Sequence, residues 1–514
     1  MKPTRPALIC AAAVTFAGLA SPAQASPNPL RAYAADTWRS MAAMTDAGTG
    51  LPADKITGDL RTPAKVTSPT DIGAYVWSTI SARELGLITA RDAESRVART
   101  LDSIGRLERH SPDGQFYNWY DPKTLRIVTT WPEDGSRVLP FLSSVDNAWL
   151  ATALMMVRTA MPRERAVAER LLTGMNFRSY YDPTAAANGT GLLRGGFWPD
   201  DPAPTCSIKA DYLGTGTPVY ETCHTYGAPS ETRAATYVGI ALGQLPPQHY
   251  FGLLRTMGDT GCDYGWQEQR PQGRTRTYLG IPTYEGTYGY DGMRFVPIWG
   301  GSMFEELMPD LFTPERTWAA RSWGANHPIF VAAQIEHGLD EAKYGYWGFS
   351  PSSDPYGGYR AYGVDGIGMQ SDGYASDEEN TLVDYGYEGC RPAQSLPSSY
   401  GDGIVTPHAS FLALPYAPRA ALANLARLRK NFDAYGPGGF YDAIAVRSGK
   451  VARTYLSLDQ GMIMAALGNE LGHDAMHRYF AAGNARRRLA PVLRLERWDL
   501  VPPSARVRAS LGVE

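Results

Sequence analysis

Apolar and small residues recur along this chain in two kinds of helical segment that take turns. From Thr67 to Leu87, TSPTDIGAYVWSTISARELGL is small or apolar on nearly every face behind small polar residues and an acid, Asp71. That pattern predicts a helix buried all round. The next segment, Ala90 to Arg109, is charged and keeps Val97, Leu101, Ile104 and Leu107 on one stripe, so it predicts a helix with one face in water. Ahead of both, Pro29 to Asp46 carries Leu30, Tyr33, Trp38, Met41 and Met44 as a peripheral amphipathic helix.

The pair repeats. SSVDNAWLATALMMVRTA starts at Ser143 with Asp146 in its first turn, and the charged stretch Arg163 to Met175 follows it. YGAPSETRAATYVGIALG, from Tyr226 to Gly243, offers Ser230 as N-cap and Glu231 at the helix mouth, and is backed by Gln248 to Met257. WGGSMFEELMPDL from Trp299 is backed by Pro314 to Gly338, and TPHASFLALPY from Thr406 by Arg419 to Phe432. SLDQGMIMAALGNEL from Ser457 is the sixth buried segment, with Asp459 near its entrance. Buried helices alternating with amphipathic ones predict an all-α fold, an (α/α)6 toroid whose inner helices point one way and open on a shared cleft. The long Gly, Tyr and Pro-rich connections Asn176 to Tyr226, Gly258 to Val296 and Tyr344 to Val405 are expected to carry short strands and wall that cleft. A ring closes only when every unit is present, so residues 26–514 read as one domain.

Composition narrows the setting. Lys2 and Arg5, the apolar run Ala7 to Ala20 and Ala23-Gln24-Ala25 make residues 1–25 read as a secretory signal peptide, which predicts an exported protein. No later segment has the roughly 18 uninterrupted apolar residues of a membrane span. The remaining Cys206, Cys223, Cys262 and Cys390 would then sit in an oxidising compartment. Cys206 with Cys223 is the natural local disulfide, and free structural thiols are the alternative. A net charge of -3 over 514 residues leaves no basic excess for nucleic acid or an anionic membrane. With 30 Tyr and 12 Trp against 15 Phe, the aromatic content favours rings with an apolar face and a polar edge, which suits stacking on sugars. Trp299, Trp347, Tyr226 and Trp119 are the stacking candidates. His224, His408 and Glu305 have no metal-ligand spacing, and no nucleophile elbow or phosphate loop occurs. DPYGGYRAYG and SDGYASDEEN do not fit a calcium loop, so no cofactor is invoked, with a bound calcium as the alternative.

SPTDIGAYVWSTISARELGLI, FYNWYDP and SSVDNAWLATALM in the first half, and GGSMFEELMP, YWGFSPSSDP, VTPHASFLALPYAP, GGFYDA and LDQGMIMAALGNEL in the second, resemble the bacterial glycoamylase-like proteins. That family is similar to the endo-β-1,2-glucanases and to the transglycosylase domain of cyclic β-1,2-glucan synthases. The resemblance implies that Glu231 in PSETRAATYVGIAL is the general acid, that Asp146 is an acidic residue of the active site, and that Asp442 in GFYDA stands where relatives keep Asp or Glu. Glu305 follows Phe304 where relatives keep a Glu, which suggests a contact to a substrate hydroxyl. The acidic stretch Ser371 to Glu388 and the loop around Cys206 depart from the glucanases, so sugar specificity does not carry over.

Glycosidic cleavage needs one protonated carboxyl and one carboxylate. Glu231 at a helix mouth needs desolvation or a like charge such as Asp146 to stay protonated against the helix dipole. Asp442, or Asp459 after it, would activate water, unless Asp442 only closes a turn and Asp459 only caps its helix. The expected activity is that of a secreted glycoside hydrolase on a polysaccharide or oligosaccharide, β-1,2-glucan or another envelope glycan, including furanose polymers. The competing readings are a polysaccharide lyase, disfavoured because clustered acids repel uronates, and a glycan-binding toroid without chemistry.

Overall fold

The computed structural model describes residues 28–185, 189–256, 269–369, 400–505 and 508. The signal segment 1–25, Cys262, Cys390 and the stretch from Ser371 to Glu388 lie outside them. The chain is rich in helix, as the periodicity predicts. The helices are α1 (Pro29–Ala43), α2 (Pro69–Glu84), α3 (Ala90–Arg106), α4 (Ser144–Ala160), α5 (Arg165–Thr173), α6 (Arg233–Leu242), α7 (Gln248–Gly252), α8 (Met303–Leu307), α9 (Glu315–Trp318), α10 (Trp323–Glu336), α11 (Pro407–Leu412), α12 (Pro418–Asn431) and α13 (Ser457–Leu471). Further short helices follow, among them Ala475–Phe480 and Asn484–Arg488.

The predicted buried helices are neighbours in one closed cycle. α2 packs on α4, α4 on α6, α8 on α11, α11 on α13 and α13 on α2, while Arg233 of α6 donates to carbonyl oxygens of α8. Sequence sets these contacts. α2 and α13 cross closely because position 461 is glycine, where a Cβ would stand 2.7 Å from that of Ala74. Ser68 and Asp71 form a capping box that starts α2, and Ser143 Oγ accepts the Asp146 N–H to start α4.

An outer set covers the cycle: α3 lies on α2, α5 on α4, α10 on α8, α12 on α11 and α1 on α13. α6 differs from expectation. Its outer neighbour is the helix Asn484–Arg488 from the far end of the chain, whereas α7 packs on the strand Ile281–Tyr290. With α7 drawn onto that strand, the C-terminal segment supplies the cover of α6. One buried apolar cluster runs from Leu30 to Trp498 through both sets.

The long connections carry short strands, as predicted. Leu142–Ser143, Gly196–Trp198, Val219–Thr222 and Ser207–Ala210 make one sheet, with Phe197 opposite Glu221. Gln272–Tyr278, Ile281–Tyr290 and Met293–Phe295 make a second, antiparallel sheet. Cys206 and Cys223 are joined in a disulfide that closes the end of the first sheet. No described helix is long and apolar enough to cross a membrane.

Candidate active site

At the starts of the inner helices, side-chain contacts join α2 to α4, α4 to Glu231 just ahead of α6, that segment to α8, and α11 to α13. Thr70 Oγ1 at the start of α2 donates to Asp146 Oδ1 in the first turn of α4, at 2.5 Å. Trp149, one helical step beyond Asp146, donates its indole N–H to Glu231 Oε2 at 2.6 Å. The Glu231 backbone N–H and Ser230 Oγ both donate to Glu305 Oε2 on α8, each at 2.8 Å. Glu231 therefore does not sit in the first turn behind a Ser230 cap. α6 begins at Arg233, with Thr232 as its N-cap; Ser230 Oγ accepts the Thr232 N–H at 3.2 Å while donating to Glu305, and the Arg233 and Ala234 N–H groups bond to the Ser230 and Glu231 carbonyls.

Glu231 is buried, and its carboxyl is held well above the usual range. Desolvation is the main cause, the charge of Glu305 the second and that of Asp146 a further one, against the Trp149 hydrogen bond and the Arg233 charge, which lower it. Its proton is therefore held more tightly than that of an ordinary carboxyl. Asp146 is also raised, by burial, with its bonds to Ser143 and Thr70 acting the other way.

A second group of acids stands across the same end. Asp442 is buried, accepts the Ser353 N–H at 2.6 Å, and interacts electrostatically with Asp459 in the first turn of α13, while Asp442 Oδ1 and Asp459 Oδ2 are buried without a donor. Neighbouring buried carboxyls titrate as a pair. Burial and the Asp459 charge push Asp442 well up, and burial carries Asp459 to about 7. His408, in the first turn of α11, has Nδ1 3.1 Å from Asp459 Oδ2. Burial lowers this imidazole to about 4, so the ring is neutral and the contact is not an ion pair.

Asp54 completes the group, raised to about 6 by burial, with Asp442 among the charges it meets. Its carbonyl accepts the Ser457 N–H at the start of α13. Tyr359 ties the two groups together. Its hydroxyl proton is held up by burial and by the charges of Asp459, Asp442, Glu305 and Asp54, although 54% of the residue surface is open.

Beside Glu305 opens a cavity of about 740 Å³ lined by Ser230, Thr232, Tyr226, Trp299, His224 and Met369, among others. Another, of about 680 Å³, lies at the opposite end of α6 around Gly243 and Arg488 and has no carboxyl in its lining. Of the stacking candidates, Trp299 and Tyr226 thus border the acids. Trp119 is half-buried with its ring edge-on to Trp131 at 5.2 Å. Trp347 is a correction: it is fully buried in the apolar core, so it offers no face to a ligand. Sequence reading passed over Asp54, Tyr359, Thr70 and Trp149. Trp149 had a signal, since it lies three residues after Asp146 on the same helix face.

Behind Glu231 and Glu305, the group with metal-ligand geometry among the described residues is Asp310, Glu315 and His327, all buried. Arg233 pairs with Glu315 through both carboxylate oxygens, at 2.9 and 3.0 Å, so this acid already has its counter-charge.

A helix-rich fold with acids gathered at the joined helix starts is the class that the geometry defines, and the comparisons agree with it. Residues 280–481 match the Glycoamylase family, described as "Putative glucoamylase", and residues 32–182 match a family described as a protein of unknown function, DUF3131. The chain is 24% identical over 572 residues to the cyclic beta-(1,2)-glucan synthase NdvB of Rhizobium meliloti (strain 1021). That alignment takes in 88% of this chain and only 18% of the synthase. The fold is shared with the endo-beta-1,2-glucanase of Chitinophaga pinensis, solved with sophorotriose and glucose, at TM-score 0.63 and 14% identity over 90% of this chain and 97% of that one. It is shared also with the endo-beta-1,2-glucanase of Talaromyces funiculosus, solved with sophorose, at TM-score 0.59 and 15% identity over 92% and 90%. The resemblance to glycoamylase-like proteins read from the motifs is borne out.

Proposed function

We propose that this protein is a glycoside hydrolase that cleaves a neutral β-linked glucan, with β-1,2-glucan the first substrate to test. The reading rests on a buried Glu231 held well above the usual carboxyl range and on a second set of buried acids, Asp442 and Asp459, whose charges reach Tyr359 together with that of Glu305. In this reading Glu231 gives its proton to the glycosidic oxygen as the C1–O bond breaks. Water adds its oxygen to C1, and its proton passes to the Asp442–Asp459 pair. Glu231 then regains a proton from solvent, and the pair returns to solvent the one it took. Asp146 and Glu305 keep Glu231 protonated, and Glu305, Tyr359 and Trp299 are offered to sugar hydroxyls and ring faces.

The closed cycle of inner helices with its outer cover is, in this reading, an (α/α)6 toroid formed by residues 26–514. The glucanase neighbours are described with β-1,2-linked oligosaccharides, which supports the choice of substrate. The many carboxyls around Tyr359 disfavour a uronate, and with it a lyase, because like charges would meet. We further propose that the protein acts outside the cytoplasm, where the Cys206–Cys223 disulfide persists.

The test is a panel of purified polysaccharides incubated with the full-length protein: β-1,2-glucan, other β-glucans, furanose polymers and a polyuronate. Release of reducing ends from β-1,2-glucan supports the reading. Unsaturated uronate products would replace it with a lyase, and binding without turnover would leave a glycan-binding protein.

A further inference from the structure

Arg233, the first residue of α6, is fully buried and engages the acid-bearing segments on both sides of it. Nη1 donates to the carbonyls of Ser230 and Glu305, each at 3.0 Å, and Nη2 to the carbonyl of Glu306 at 2.5 Å. Nε and Nη2 also hold Glu315 Oε1 and Oε2. The guanidinium carbon lies 4.1 Å from the centroid of the Trp323 ring, which covers one face. Glu315 is itself fixed, accepting from Tyr237 Oη at 2.6 Å and facing His327 Nε2 at 3.1 Å, while His327 Nδ1 lies 2.7 Å from Glu306 Oε1. Glu306 and Asp310 add charge that carries His327 to about 9, and Arg233 takes Glu315 to about 2 despite burial. The network therefore holds a fixed cation in a rigid fork.

The carbonyls that Arg233 holds are those of Ser230, just before Glu231, and of Glu305, whose carboxylate accepts the Glu231 N–H. We propose that Arg233 is a positioning residue: its planar fork, anchored on Glu315, fixes the turn of Glu231 against α8 and so sets the approach of Glu305 to the acid. The proposal rests on the reading of Glu231 as general acid. A lysine cannot replace the fork, because one ammonium has three donors and no fixed plane.

The groups that face Glu231 are Glu305 from α8, Asp146 and Trp149 from α4, and Tyr226 and Arg233 from its own segment. Desolvation and Glu305 outweigh the Arg233 charge there, so loosening the turn admits water, separates the two acids and lowers the proton affinity of Glu231. The experiment is the pH dependence of kcat/KM on the polymer chosen by the panel, for the parent, Arg233→Lys and Glu315→Gln, with thermal unfolding of each.

The expected result is a kcat lower by about 10- to 100-fold with KM within about threefold, since misplacement acts on chemistry before binding. The alkaline limb should also move toward acid by at least about half a pH unit. A folded variant with parental kcat and alkaline limb, and only a lower Tm, would overturn the proposal and leave Arg233 a stability residue. If Arg233→Lys does not fold, Glu315→Gln, which keeps the side-chain shape, carries the same comparison. Glu231→Gln run alongside separates the failures. Near-parental turnover there removes the acid assignment and this proposal with it, whereas loss there beside an unmoved limb in Arg233→Lys removes the positioning role alone.

Discussion

Protonation at single residues sets the expected pH behaviour. The Asp442–Asp459 pair gives up its first proton near the value of about 7 carried by Asp459, and the base must be free of that proton. Activity should therefore rise with pH through about 7. It should fall again at more alkaline pH, where Glu231, raised well above the usual range, ionises and can no longer donate. A pH profile of kcat/KM checks this, and an acid limb down in the ordinary carboxylate range would remove the pair from the role of base. Trp299→Ala should raise KM by roughly 5- to 150-fold, the equivalent of ~1–3 kcal/mol for a lost stacking ring. Trp347→Ala should instead lower stability by ~3–5 kcal/mol, as for a large core deletion, with KM unchanged in the folded fraction. The two tryptophans read alike in sequence, each beside glycines. What separates them is tertiary: a Cβ at Gly348 would stand 3.0 Å from that of Ala409, so that glycine serves the approach of α11 and not of a ligand.

Elements were legible where local rules govern them. The acids Asp71, Asp146 and Asp459 are found in the first turns of their helices because periodicity and capping residues mark those turns within a few positions. Glu231 was legible as a helix-mouth acid but not in its detailed setting, because Glu305, on α8 and far along the chain, accepts both its N–H and the Ser230 hydroxyl. Asp54 lies beside a short strand with no periodic signal, and the pairing of that strand with Thr454–Leu456, just ahead of α13, is what brings it to the start of α13. The outer cover of α6 was misread for the same reason, since its partner comes from the other end of the chain. The disulfide is local and was legible. Cys206 and Cys223, separated by 17 positions, close one end of a hairpin, so Cys206→Ser with Cys223→Ser should cost ~3 kcal/mol by the loop-entropy argument. Thermal unfolding measures it, and an unchanged Tm would show that the hairpin is held by its sheet alone.

The whole molecule responds to pH through groups that take no part in the site. Glu221 is fully buried on the strand Val219–Thr222, neither carboxyl oxygen meets a hydrogen-bond partner, and burial raises it to about 9. The folded state thus binds a proton that the unfolded chain releases above its ordinary value of 4.5, so stability should fall as pH rises from that value toward 9. Glu221→Gln should flatten that slope in unfolding measurements at several pH values, and an unchanged slope would place the alkaline sensitivity elsewhere. Glu221 and Glu231 are both buried and raised, and in the proposed reading they differ in use because Glu231 lies beside Glu305, which lines the cavity. That difference is the centre of the account, and Glu231→Gln tests it most directly. On β-1,2-glucan, or the polymer that the panel selects, the account predicts a rate lower by roughly 10²- to 10⁴-fold at near-parental Tm. Cleavage at close to the parental rate would contradict it.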